Sequence, residues 1–104
     1  MPPVLRIQTW DAAPGKQAEM MTLMREAIPF YENHGAKVRI FNNSISGPNA
    51  TTVSFVAEYP SLSAYGAGTE ATLADPGFGP FIAKVNAAMV GKLVSGSLSL
   101  EVGR

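Results

Sequence analysis

The chain has 104 residues, 46% of them hydrophobic and only 15% charged, with eight basic residues balancing eight acidic ones and no cysteine. This length supports one domain around one core, residues 1–104, and the composition is that of a globular chain. Neutrality without a Lys/Arg cluster argues against nucleic acid as a partner, and the lack of thiols excludes disulfides, thiolate catalysis and thiolate metal sites.

The first residues, "MPPVLRIQTWD", carry no basic stretch ahead of an apolar one, and no run approaches the roughly 20 apolar residues of a membrane span. The expectation is a soluble, cytoplasmic protein with no membrane partner. So little charge also leaves surface to be covered by a partner subunit.

In chain order, "VLRIQTW" (4–10) alternates with period two and predicts a strand, with "DAAPGK" turning the chain after it. From Gly15 to His34, Met21, Met24, Ile28 and Tyr31 recur at helical spacing, widened by Met20 and Ala27. Pro29 lies within this helix and is expected to kink or loosen its last turn. Residues 36–47 and 51–60 predict two further strands joined by the turn-rich "SGPNA", hence an antiparallel hairpin. Pro60 ends the third strand and Ser61 suits an N-cap. A second helical region spans about Leu62 to Met89, interrupted near "ADPGFGPF", where Asp75 and Pro76 look like a new N-cap and first helical position. "KLVSGSLSLEV" (92–102) closes the chain as a fourth strand.

The order β-α-β-β-α-β, with right-handed crossovers, predicts an α+β, ferredoxin-like fold: a four-stranded antiparallel sheet with helices on one face. Strand parity assigns Leu5, Ile7, Val38, Ile40, Val53, Phe55, Leu98 and Leu100 to the face under the helices. The opposite face then bears Arg6, Gln8, Trp10, Arg39, Phe41, Asn43, Ser54, Val56, Glu58, Ser95, Ser97 and Ser99. It is too apolar to lie bare and too polar for a core, so a homodimer packed through it is expected.

A pocket between helices and sheet is expected among Met21, Met24, Ile28, Tyr31, Tyr65, Phe78 and Phe81, with Thr9, Asn42 and Tyr59 as its polar groups. Met and aromatic stripes at this spacing also serve as plain core. His34 is the only histidine. It can act as a general base near neutral pH, or simply end a helix ahead of Gly35, and the capping pattern favours the second.

"TWDAAPGK", "HGAKV", "AEYPSLSAYGA" and "LADPGFGPF" together resemble the dimeric α+β barrel proteins, among them the antibiotic-biosynthesis-monooxygenase, stress-responsive and NIPSNAP-like groups. The last two stretches are most similar to NIPSNAP-like sequences. The resemblance spans about residues 4–102. It implies an eight-stranded barrel across a dimer, with a cleft in each subunit for a small hydrophobic molecule, aromatic ones included. Members include cofactor-independent oxygenases, haem-degrading oxygenases and polyketide cyclases. The haem-degrading pattern has a ligating His in the second helical region, where this chain reads "FGPFIAKV"; it also has a Trp there and an Asn on strand one, where this chain offers Gln8. Haem degradation is therefore not expected. Barrel cyclases use a Tyr–His pair, and Tyr31 and His34 stand three apart on one helix.

Other chemistries lack their residues. One histidine without clustered carboxylates makes no metal site. No G-x-S-x-G elbow accompanies the serines, and "GAGTEA" lies in a helical stretch rather than after a strand. Two functional readings follow. In the first, the protein is a cofactor-independent monooxygenase or cyclase, with His34, Tyr31, Asn42 or Tyr65 moving protons or holding an oxyanion. In the second, it is a non-catalytic dimeric binding or structural protein.

Overall fold

The computed structural model of the chain describes residues 2–43 and 52–102. Its elements are β1 (Val4–Ala12), α1 (Gln17–Glu32), β2 (Lys37–Asn42), β3 (Thr52–Tyr59), α2 (Leu62–Ala74), α3 (Phe78–Ala88) and β4 (Gly91–Leu100). The strands form one antiparallel sheet in the order β2-β3-β1-β4. This is the ferredoxin-like α+β fold expected from the sequence, with the second helical region divided in two. The expected hairpin pairing of β2 with β3 is present, while the "SGPNA" link lies outside the described residues. Among the described residues no helix is long and apolar enough to cross a membrane.

The division falls at Asp75. Ser61 caps α2 as predicted, accepting from the Ala64 N–H at 3.1 Å. Asp75 instead ends α2 with extended backbone (ψ 122°), and its Oδ1 accepts from the Gly77 N–H at 2.9 Å. It therefore organises the turn between two helices, and α3 begins only at Phe78. Pro80 lies in the first turn of α3, where a missing N–H costs nothing.

The end of α1 is also more orderly than Pro29 suggested. The Asn33 N–H reaches Pro29 O at 2.9 Å, and the His34 and Ala36 N–H groups both reach Tyr31 O at 3.1 Å. The last turn stays hydrogen-bonded, and Gly35 turns the chain out of it at φ +98°, the left-handed position expected of it.

One expectation about the sheet is reversed. Gln8 pairs with Phe55 and Trp10 with Val53, and these share the side on which α1 and α3 pack. Arg6, Gln8 and Trp10 therefore face the helices, and Leu5, Ile7 and Thr9 face away. Thr9 confirms the parity, its hydroxyl lying 3.2 Å from that of Ser54 on the outer face. The assignments for β2, β3 and β4 hold, including Val38, Ile40, Val53 and Phe55 in the core. A bulge between Thr9 and Trp10 leaves Val94 as the extra residue of β4, which keeps Leu93 and Leu98 on the helix side.

The main core joins Met20, Leu23, Met24 and Ala27 of α1 to Val53, Phe55, Phe81 and Val90. The buried stripe of α1 is thus turned by one position from the predicted one, and Met21 and Ile28 flank it. A smaller cluster forms around Ala36, Ala57 and Tyr59, with Tyr65 packed on it. Tyr31 touches both clusters.

Candidate functional site

Between α1, α3 and the helix-facing side of β1 and β3 lies a cavity of about 150 Å³. Trp10 and Phe55 contribute its sheet side, Met20, Leu23, Met24 and Ala27 one wall, and Phe81, Ile82 and Val85 the other. Its polar residues are few: Gln8, Tyr31 and Asn86. A wider groove of about 490 Å³ opens beside it, sharing Trp10, Val85 and Asn86 and continuing to Pro14 and Lys92. An apolar hollow with a few convergent polar groups is the usual form of a small-molecule site.

Each wall follows from local sequence. The α1 stripe at 20, 23, 24 and 27 recurs at the helical period and so presents one continuous apolar face. Tyr31, one turn on, is held between rings, with Phe55 at 5.1 Å and Phe78 at 6.0 Å in perpendicular contact. Phe30 packs on Phe78 and Phe81 at 5.8 and 5.2 Å, so it seats α3 against α1 from outside the cavity. The sole tryptophan, Trp10, belongs to the strand face that faces the helices.

The electrostatics of the tyrosines reflect burial. Desolvation pushes the Tyr31 phenol above its ordinary value, and the positive charge of Arg6 acts in the opposite direction. Tyr59 is raised by burial too, with a hydrogen bond from Thr69 opposing it. Tyr31 is therefore a neutral phenol at neutral pH, a hydrogen-bond donor rather than a base.

Of the residues singled out from sequence, Tyr31, Met24 and Phe81 line the cavity. His34 does not. Its Nε2 lies 3.0 Å from Asp75 Oδ2, both side chains about three-quarters buried, and its carbonyl packs against Gly68. The pairing, together with the Gly77 N–H, holds the Asp75 carboxyl below its usual range. His34 thus ties the end of α1 to the α2–α3 turn. Asn42, at the exposed end of β2, accepts from Gln17 Nε2 at 3.2 Å, holding the start of α1. Tyr65 stacks edge-on against Tyr59 at 5.3 Å, in the smaller cluster. Met21, Ile28, Phe78, Thr9 and Tyr59 lie outside the lining as well. Gln8, Trp10 and Asn86 were missed. The signal for the first two was an even-numbered set in strand one that is apolar at both ends (Val4, Trp10, Ala12) and polar in the middle. Among the described residues no cluster of side chains could hold a metal ion.

No family model and no curated protein sequence matches this chain. Solved structures do. A NIPSNAP domain protein of Burkholderia xenovorans superposes with a TM-score of 0.75 at 19% identity, over 97% of this chain and 94% of its own. An antibiotic biosynthesis monooxygenase candidate from Chloroflexus aurantiacus gives 0.70 at 16%, over 98% and 95%. SnoaB, a cofactor-independent oxygenase from Streptomyces nogalater, gives 0.65 at 17%, over 100% and 95%. The structural neighbours are thus the groups that the sequence resembles, and the fold is common to them all.

Proposed function

We propose that this chain binds a hydrophobic, flat small molecule in the cavity beneath α1 and α3. The observation that carries the reading is the cavity itself, an apolar hollow whose polar groups are Gln8, Tyr31 and Asn86. Its nearest chemical expression is that of a cofactor-independent oxygenase. In such a site the walls strip water from the substrate, while the Gln8 amide and the neutral Tyr31 phenol donate hydrogen bonds to an oxygen on which charge develops. The likeness to SnoaB supports this reading through the shared fold. A non-catalytic binding protein is favoured by a separate observation: His34, the group best suited to move a proton near neutral pH, is engaged with Asp75 outside the lining. His34, Asn42 and Tyr65 act in either reading by positioning α1 and α2 rather than by touching the ligand.

A homodimer belongs to the same proposal. The outer sheet face presents Leu5, Ile7 and Phe41 beside the Arg39–Glu58 pair (2.8 Å), and Phe41 is 51% exposed. A two-fold related copy would cover this face and keep the ion pair at its rim. A cytoplasmic setting completes the proposal.

Native mass spectrometry of the purified protein tests dimer and ligand together. The expected result is a dimer carrying a low-mass aromatic compound, whose re-addition to stripped protein changes Trp10 fluorescence. A monodisperse monomer at micromolar concentration would remove the dimer. If the retained compound is turned over, Tyr31→Phe should slow the reaction far more than His34→Ala, and the reverse order would restore His34 as the catalyst.

A further inference from the structure

Arg6 pairs with no carboxylate among the described residues. It stands on the helix-facing side of β1, two residues from Gln8 and opposite Ala57, which belongs to the cluster that Tyr31 and Tyr59 share. Successive residues on one strand face are about 7 Å apart, so Arg6 is the next helix-facing position along β1 from Gln8, which lines the cavity. The other described basic residues are either well exposed or paired, as Lys16 is with Glu19, Arg39 with Glu58 and Lys84 with Glu26. Arg6 is partly buried, and no ion pair forms to it among the described residues. Its charge is felt instead by the two buried phenols, Tyr31 and Tyr59.

Its other neighbour explains why it remains open. Arg6 pairs across to Leu98 of β4, and Leu98 is 48% exposed because no helix covers that strand. Arg6 therefore stands between a covered strand and an uncovered one, with buried Ala57 opposite it on β3 and half-exposed Leu98 opposite it on β4. Among the described residues no buried side-chain nitrogen lacks a partner, so the Arg6 donors are accessible rather than sealed. A planar fork of N–H donors in such a place is suited to a carboxylate or other flat oxyanion. In ordinary core architecture the middle of a central strand under helices would carry an apolar residue, as Val53 and Phe55 do on β3.

We propose that Arg6 is the recognition residue for an anionic group on the ligand, so that the cavity takes a flat aromatic acid. Its ring lies among Trp10, Phe55 and Phe81, and its carboxylate or ionised phenol reaches the Arg6 fork, with Gln8 beside it. This deepens the small-molecule reading above and rests on it. The chemistry shared by an aromatic carboxylate and an acidic phenol is an oxyanion in the plane of an apolar ring, which fits a cation next along the strand face from an apolar hollow.

The test uses a matched pair of probes, 2-naphthoate and the neutral 2-naphthamide, titrated calorimetrically into the full chain at neutral pH and low salt. The wild-type protein should bind the acid about tenfold or more tighter than the amide, as a charge-assisted hydrogen bond requires. Added salt should reduce that preference and leave the amide unaffected. Arg6→Gln should bring the acid to the level of the amide without changing amide binding, and Arg6→Lys should keep part of the preference. Equal affinity of the wild type for both probes would overturn the role of Arg6 while leaving the cavity a binding site. A preference that survives in Arg6→Gln would overturn it equally. If neither probe binds, the cavity reading falls and this proposal with it. Should Arg6→Gln fail to fold, the wild-type comparison and Arg6→Lys decide the matter.

Discussion

β3 and β4 both lie antiparallel beside β1, yet their surroundings could hardly differ more. On the helix-facing side of β3, Val53, Phe55, Ala57 and Tyr59 are all buried, whereas every residue of β4 after Gly91 is exposed. Composition does not explain this. Leu93, Leu98 and Leu100 occupy the helix-facing side of β4 as Phe55 and Ala57 do on β3, but remain 47–50% exposed. The helices pack over the β2–β3 half of the sheet, and β4 after Gly91 lies beyond their cover. Burial is decided by which layer lies above a strand, not by the strand's own hydrophobicity. The cavity lies at this boundary, with Gln8 and Trp10 of β1 in its lining.

The comparison is most exposed to side-chain truncation. Phe55→Ala should destabilise the protein by about 3–5 kcal/mol, as loss of a fully packed aromatic does. Leu98→Ala, removing a half-exposed side chain, should cost about 1 kcal/mol or less. Chemical denaturation of both variants measures the contrast. A Leu98→Ala cost that approaches that of Phe55→Ala, and grows with protein concentration, would mean that a second copy covers β4 in solution.

Within β4 a sharper contrast is available. A side chain at Gly91 would run into Asp11 O and the end of Met20, at the point where the chain leaves α3 and the Ala13 N–H meets Val90 O at 2.7 Å. Gly91→Ala should therefore cost about 1–3 kcal/mol through displaced backbone. At Gly96 the nearest atom to an added methyl group is Ile7 O at 4.0 Å, so Gly96→Ala should stay within about 0.5 kcal/mol of the parent. Thermal melts of the pair would show whether the strand is pinned at its start and free along its length.

The smallest effect concerns the joint that holds α3 over the covered half. Because the His34 hydrogen bond holds the Asp75 carboxyl below its usual range, the folded state binds that proton less readily than the unfolded chain. The stabilisation is therefore present in full above the ordinary carboxylate value and is lost as the pH falls through the lowered one. Melting temperatures should drop from about pH 4 downward in the parent, and Asp75→Asn should show a shallower acid decline. Parallel declines would separate the joint from acid stability.

Much of this architecture was legible in the residues. The period-two runs, the Ser61 cap and the Gly35 turn are local signals, each produced by contacts within a few residues, and all three appear in the structure, while the helical period placed α1 correctly and its buried stripe one position off. β1 was read on the wrong face for an equally physical reason. Leu5 and Ile7 are the more apolar alternate set, and alternation alone cannot tell which side the helices take. The pairing of Gln8 with Phe55 decides it, and with it the polar residues of the cavity. His34 illustrates the same limit, because its partner Asp75 is 41 residues away and the function of the ring depends on that one contact.

The sequence by itself determined the elements, their order, the ferredoxin-like topology and the exclusion of thiolate and clustered-histidine chemistry, all of which depend on residue type and short-range period. Only the tertiary structure decided that Arg6, Gln8 and Trp10 turn inward, that His34 turns toward Asp75 and away from the cavity, and that β4 lies uncovered. These outcomes depend on strand register and on where helices come to rest, and both are set by packing between segments far apart in the chain.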